Sequence, residues 1–148
     1  YVLAQLAGAT IGAFLLRFLF PGDLSRITAL GAPMVAGSVT AGTAMGIEAV
    51  LTFFLVSAVF GTILYVNAPR VGGFGVGLVL VFDILVGGPL TGAATNPARA
   101  FGPSLASGVW VGHAIYWIGP VVGGVIAALL WDLVLMKERP SAGEKVAL

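Results

Sequence analysis

Four long apolar runs, each broken at most twice by a strongly polar side chain, set the pattern of this chain. The first covers residues 1–20, interrupted by Gln5 and Arg17 and closed by Pro21-Gly22. The second covers 44–66 with one charge, Glu48; the third covers 73–90 with one charge, Asp83; the fourth covers 114–136. A helix needs about 20 apolar residues to cross a bilayer, so each run is predicted to span a membrane. Between the first two, residues 21–43 are rich in Gly, Ala, Ser and Thr and predict a loop. Asn67-Ala68-Pro69-Arg70 predicts a turn, and Lys137-Glu138-Arg139-Pro140 opens a polar tail over 137–148. The expected fold is an all-α membrane bundle of about four spans.

Composition narrows the choice. Of 148 residues, 59% are hydrophobic and only 9% charged, against roughly 25% charged in a soluble domain. That argues against a soluble enzyme, a disordered segment or a nucleic-acid binder. The net charge is +1 and the basic residues form no cluster that could track phosphates. Cysteine is absent, which removes disulfides, thiolate nucleophiles and Cys-ligated metals. With one histidine and few other polar groups, no nucleophile–base–acid set can be assembled, so neither enzymatic activity, a metal nor a cofactor is expected. The expected surroundings are membrane lipid.

Charge placement gives an orientation. Arg70 follows the second span, and Lys137, Arg139 and Lys145 follow the fourth. Both loops lie on one side, which the excess of Lys and Arg assigns to the cytoplasm. The opposite side carries Arg26 balanced by Asp23. Tyr1 already lies inside an apolar run, with neither an initiator Met nor a charged leader. It reads as a cut point.

The 22 glycines make close helix packing possible. Small residues four apart, as in Gly8/Gly12, Gly42/Gly46, Gly73/Gly77 and Gly119/Gly123, let helix backbones approach in lipid. The first and fourth spans also resemble each other at an offset of 115. Tyr1 matches Tyr116, Gly8 matches Gly123, Ile11 matches Ile126, Ala13 matches Ala128 and Leu15 matches Leu130. Inverted repeats are a habit of transporter-like folds. Spans two to four are then one whole repeat, and span one is the last helix of another.

The chemistry concentrates in residues 91–108. Asn96 suits a helix N-cap and Pro97 the first helical position. Pro103, six residues further on, is expected to limit how long that helix stays regular. The segment therefore predicts a helix too short to span, entered from a Gly/Ala stretch. Irregular backbone at membrane depth is tolerated only where it lines a cavity or is packed in protein. The carbonyls of Gly92, Ala93 and Ala94 are candidates to line a wet path. An Arg such as Arg99 inside a membrane is costly and marks a functional site. A capped turn in an external loop with a surface Arg is the plainer alternative, and composition does not separate the two.

Asn96-Pro97-Ala98-Arg99 resembles the second signature box of the aquaporin, or major intrinsic protein, family. The resemblance extends along the chain. Tyr1-x-x-Ala4-Gln5-x-x-Gly8-Ala9 looks like that family's third helix, Glu48-x-x-x-Thr52-Phe53 like its fourth, and Gly119-Pro120 like its sixth. The resemblance implies an aquaporin-like bundle in which this chain holds four spans and one re-entrant half-helix. It also implies that two helices and a first Asn-Pro-Ala box stand upstream, and that the family's usual homotetramer forms.

The same resemblance implies a passive channel for water that excludes protons. Arg99 would form the narrow filter with Ile84, Ala93 and a residue of an upstream helix. Strict water channels usually carry His at the position of Ile84. Ile84 makes the filter more apolar, as in the tonoplast-intrinsic and ammonia-permeable relatives, so ammonia or hydrogen peroxide joins water as a candidate solute. Glycerol conductors usually place Asp after the Arg and a basic residue four positions later. Here Ala100 and Ser104 stand there, and Tyr116-Trp117 follows the water-type pattern. Glu48 is expected to hold backbone N–H groups of the broken segment, with Gln5 doing the same for the other half. Asp83 is expected to be hydrogen-bonded or protonated rather than an ion site, and His113 to be an interfacial hydrogen-bonding residue. Trp110, Tyr116 and Trp117 suit an interfacial belt. The rival reading is a truncated, non-conducting subunit that only packs with partners.

Overall fold

The computed structural model describes residues 1–20 and 22–136. Pro21, and the polar tail with Lys137, Arg139 and Lys145, lie outside the described residues. Every regular element among them is helical. The helices are α1 (Val2–Leu19), α2 (Asp23–Ile27), α3 (Ala41–Val59), α4 (Gly72–Thr91), α5 (Pro97–Ser107) and α6 (Ile115–Leu130). A 3₁₀ turn, Ala29–Gly31, follows α2, and π-helical turns, Phe60–Leu64 and Trp131–Leu135, extend α3 and α6. Four helical stretches are long and apolar enough to cross a membrane: Val2–Leu19, Ala41–Leu64, Gly72–Thr91 and Ile115–Leu135.

Their outer surface confirms the medium. Leu85 is 73% exposed and Leu133 is 68% exposed. A soluble bundle would hide such side chains, whereas in lipid they meet a solvent as apolar as themselves. The buried core is rich in alanine instead. Ala44, Ala94, Ala100, Ile115 and Tyr116 form one cluster, joining α3, the chain before α5, α5 and α6.

Close approach occurs at a few glycines. A Cβ on Gly119 would lie 2.7 Å from Glu48 Cβ and 2.8 Å from the Met45 carbonyl, and one on Gly123 would strike the Ala49 backbone. α6 therefore lies parallel to α3, since 119 faces 45–48 and 123 faces 49. Gly61 meets the Trp131 indole at the far end of the same pair, where Phe60 stacks on Trp131 at 6.1 Å. Gly102 sets α5 directly against the Ala9 backbone of α1, and Gly87 of α4 receives Leu51 of α3. Of the four small-xxx-small pairs, Gly119/Gly123 alone seats a helix among the described residues. At Gly8, Gly12, Gly42, Gly46, Gly73 and Gly77 an added Cβ meets nothing within 4 Å. Spacing marks a smooth face, and only the neighbours decide whether that face is used.

The segment between α1 and α3 is more ordered than a loop. It contains α2 and the 3₁₀ turn, buries Ala29, Leu30 and Ala32, and then runs over the end of α4, where the Ala36 N–H donates to the Leu90 carbonyl at 2.9 Å. α3 starts at Ala41 because the Thr40 hydroxyl accepts from the Thr43 N–H at 3.3 Å. α5 continues four residues beyond Pro103. That proline lacks the N–H that would reach Arg99, so it costs one helical bond without ending the helix.

Candidate functional site

Two glycine caps frame the site. α4 stops at Gly92 (φ 83°) and α5 at Gly108 (φ 80°), each in the left-handed conformation that closes helices. Between α4 and α5 the chain runs irregularly through residues 92–96. Ala93 (φ 44°) and Thr95 (φ 49°) are left-handed without being glycine, at a cost of about 1–2 kcal/mol each. Such backbone persists only where surrounding contacts over-determine it.

Glu48 supplies those contacts. Its side chain is fully buried in α3. One carboxylate oxygen accepts from the Thr91 hydroxyl at 2.6 Å and the Ala94 N–H at 3.0 Å, and the other accepts from the Thr95 N–H at 2.7 Å. Thr91 passes the support on by accepting from the Ala93 N–H at 3.2 Å. Tyr116 of α6 donates its hydroxyl to the Thr91 carbonyl at 2.9 Å, and Thr52 donates to the Glu48 carbonyl at 2.7 Å. A trans peptide points its N–H and C=O in opposite directions. With the N–H groups of Ala93, Ala94 and Thr95 turned toward Glu48 and Thr91, the carbonyls of Gly92, Ala93 and Ala94 turn away from α3. Ala93 and Ala94 are themselves buried.

Asn96 then opens α5. Its Oδ1 accepts from the Ala98 N–H at 2.9 Å and the Arg99 N–H at 3.4 Å. The side-chain oxygen is spent on the cap, which leaves the amide NH₂ as two outward donors. Pro97 needs no partner, and Ala98 is buried. Arg99 extends to the 3₁₀ turn, where its guanidinium donates to the Gly31 carbonyl at 2.8 Å. Leu30, beside that acceptor, is also left-handed (φ 54°). The held backbone thus lies on both sides of the Asn96–Arg99 pair.

Asn96, Ala98 and Arg99 line an open groove of about 520 Å³ along α1, together with Gln5, Gly8 and Gly12. Gln5 is exposed there. Ile84 and Ala93 are not among the groove's lining residues; Ile84 is 52% exposed on α4, and Ala93 is buried. Asp83 is fully buried on the same α4 face as Gly87 and Thr91, and neither of its carboxyl oxygens has a hydrogen-bond partner among the described residues. His113 sits in an aromatic nest, 4.7 Å from Trp110 and within 6.4 Å of Phe101 and Tyr116. Its Nε2 is buried with no hydrogen-bond partner among the described residues, and burial pushes its pKa down.

Sequence reading does not reach Thr91, Thr95, Tyr116 and Gly31 as members of this network. Thr91 of α4 and Tyr116 of α6 support the irregular segment from outside, Thr95 lies within it, and Gly31 contributes only a carbonyl, which no side-chain pattern announces. Thr91 beside the Gly92 cap is the one local signal.

Comparison with known proteins gives these features a context. The model of the family described as major intrinsic protein matches residues 1–131. Aquaporin TIP4-4 of Zea mays is 45% identical over 145 residues, covering 93% of this chain and 54% of that protein. Aquaporin-6 of Rattus norvegicus is 35% identical over 148 residues, covering 100% of this chain and 53% of its own length. The chain spans about half the length of the curated relatives it matches. The X-ray structure of the aquaglyceroporin from Plasmodium falciparum shares the fold with a TM-score of 0.71 and 26% identity, over 90% of this chain and 62% of that one. With its four apolar spans, this chain is an integral, multi-pass membrane protein, and it belongs to the major intrinsic protein family, resembling its tonoplast-like aquaporins.

Proposed function

We propose that this chain forms part of the wall of a passive channel that carries water and small neutral solutes and holds back protons and ions. The observation that carries the reading is Asn96 at the start of a half-helix, its oxygen spent on the cap and its NH₂ free. Those donors hold a passing water by its oxygen. A water held so cannot accept the next proton of a wire. The positive end of the α5 dipole and the fixed cation of Arg99 add a barrier to hydronium and metal cations. The Zea mays and Rattus norvegicus relatives, both named aquaporins, support the same reading. Ile84, Ala93 and Arg99 belong to the filter by resemblance, which favours ammonia or hydrogen peroxide beside water. Assembly as a homotetramer and a cytoplasmic Arg70 side complete the proposal. The open groove along α1 favours the second reading, a non-conducting subunit.

Proteoliposomes separate the two. Asn96→Asp keeps the cap oxygen and removes both donors, so it is expected to lower water flux and raise cation leak. Ile84→His is expected to cut ammonia flux more than water flux. Flux equal to that of empty liposomes means that this chain by itself conducts nothing, as the second reading has it; flux above that level but untouched by these changes means that the conducting path does not run past Asn96 and Ile84.

A further inference from the structure

Arg17 interrupts the first apolar run near its end, and the channel reading gives it no task. It stands in the last turn of α1. Its guanidinium crosses to α5 and donates to the Ala106 carbonyl at 2.8 Å. Ala106 is the second-last residue of α5, so its carbonyl is one of the four at a helix end that lack an intrahelical partner. The bond sits over a small apolar cluster of Ala13, Leu30 and Ala106. A cation at this position also meets the negative end of the α5 dipole.

α5 is short, and its place along the membrane normal has to be fixed from outside. Gly102 presses it sideways onto α1, but a smooth glycine contact resists sliding poorly. Glu48 holds the chain before its first turn. At its other end the side-chain grip is Arg17. We propose that Arg17 is a positioning residue of the half-helix, clamping the Ala106 carbonyl so that α5, and with it Asn96 and Arg99, stays at a fixed depth. Its effect on permeation rests on the channel reading; its effect on α5 does not.

Amide exchange on the reconstituted chain tests the clamp without requiring conduction. Arg17→Leu removes donor and charge, Arg17→Lys keeps the charge, and α3 serves as the internal reference. Losing a charge-assisted hydrogen bond is expected to speed exchange across α5 by about tenfold to a hundredfold relative to α3. Arg17→Lys is expected to recover most of that protection. Unchanged α5 exchange, equal acceleration of every helix, or a Lys variant no better than Leu would each overturn the proposal. Where the wild-type chain conducts, Arg17→Leu is also expected to raise the proton-to-water permeability ratio, a quantity that general loss of protein does not alter. A wild-type chain that moves no water, with the α5 contrast intact, removes conduction by this chain alone and leaves the clamp standing.

Discussion

Arg99 stands at the third position of α5, where the helix dipole is positive. A cation there is opposed by about 0.3–1 kcal/mol, and its exposure to the groove brings no packing in return. Its bond to Gly31 fixes the head against a backbone that is itself held in a costly conformation. A charge-assisted bond of this kind is worth about 1.5–3 kcal/mol, which outweighs the dipole cost, so the contact to Gly31 is what holds the cation at this helix start. Glu48 is the opposite case, since its buried charge is matched by three donors. Glu48→Gln keeps the shape but turns an NH₂ toward an N–H or hydroxyl donor. Leaving one or two buried donors unpaired costs about 1–3 kcal/mol each, so the variant is expected to lose about 2–4 kcal/mol. Thermal unfolding in detergent checks this; a loss below about 0.5 kcal/mol would mean that water takes over the bonds.

At the scale of elements, two opposing terms meet at Gly123. Ala in place of Gly gains up to about 1 kcal/mol of helix propensity. The new Cβ would strike the Ala49 backbone of α3, which cannot rotate away. Overpacking of this kind costs about 1–3 kcal/mol, at the upper end against backbone, so Gly123→Ala is expected to destabilise by about 1–2 kcal/mol net. Its unfolding midpoint in detergent should fall below that of wild type. The spans, the half-helix after Asn96 and the part played by Glu48 were legible because each rests on local pattern or on one expensive side chain. Pro103 misleads because one missing N–H is affordable in a helix gripped by Glu48 and Gly102. The ordered stretch from Asp23 to Thr40 is hidden for another reason. Its order comes from burial of Ala29, Leu30 and Ala32 and from the bond of Ala36 to Leu90, none of which has a periodicity. The glycine pairs show the same limit, since Gly102 and Gly87 make contacts that the four regular pairs, Gly119/Gly123 apart, do not.

For the whole molecule, the internal repeat joins the one closed face to the open one. Gly8 of α1 matches Gly123 of α6 at the offset of 115. On α6 that face receives α3. On α1 it borders the groove that Asn96 and Arg99 also line. If the repeat is structural, the α1 face is shaped to take a helix as α6 takes α3. Substitution at Gly8 separates this from a face that simply meets lipid. Among the described residues an added Cβ at Gly8 meets nothing within 4 Å, and the position borders an open groove, so Gly8→Leu should be neutral or stabilising by up to about 1 kcal/mol through helix propensity. In a conducting assembly the same leucine would hold an incoming helix away and abolish water flux. Unchanged thermal unfolding combined with lost flux would place a helix on α1. Unchanged unfolding with unchanged flux would assign that face to lipid, and the repeat would then describe α1 and α6 only as sequences, because the contact that gives Gly123 its purpose would have no counterpart at Gly8.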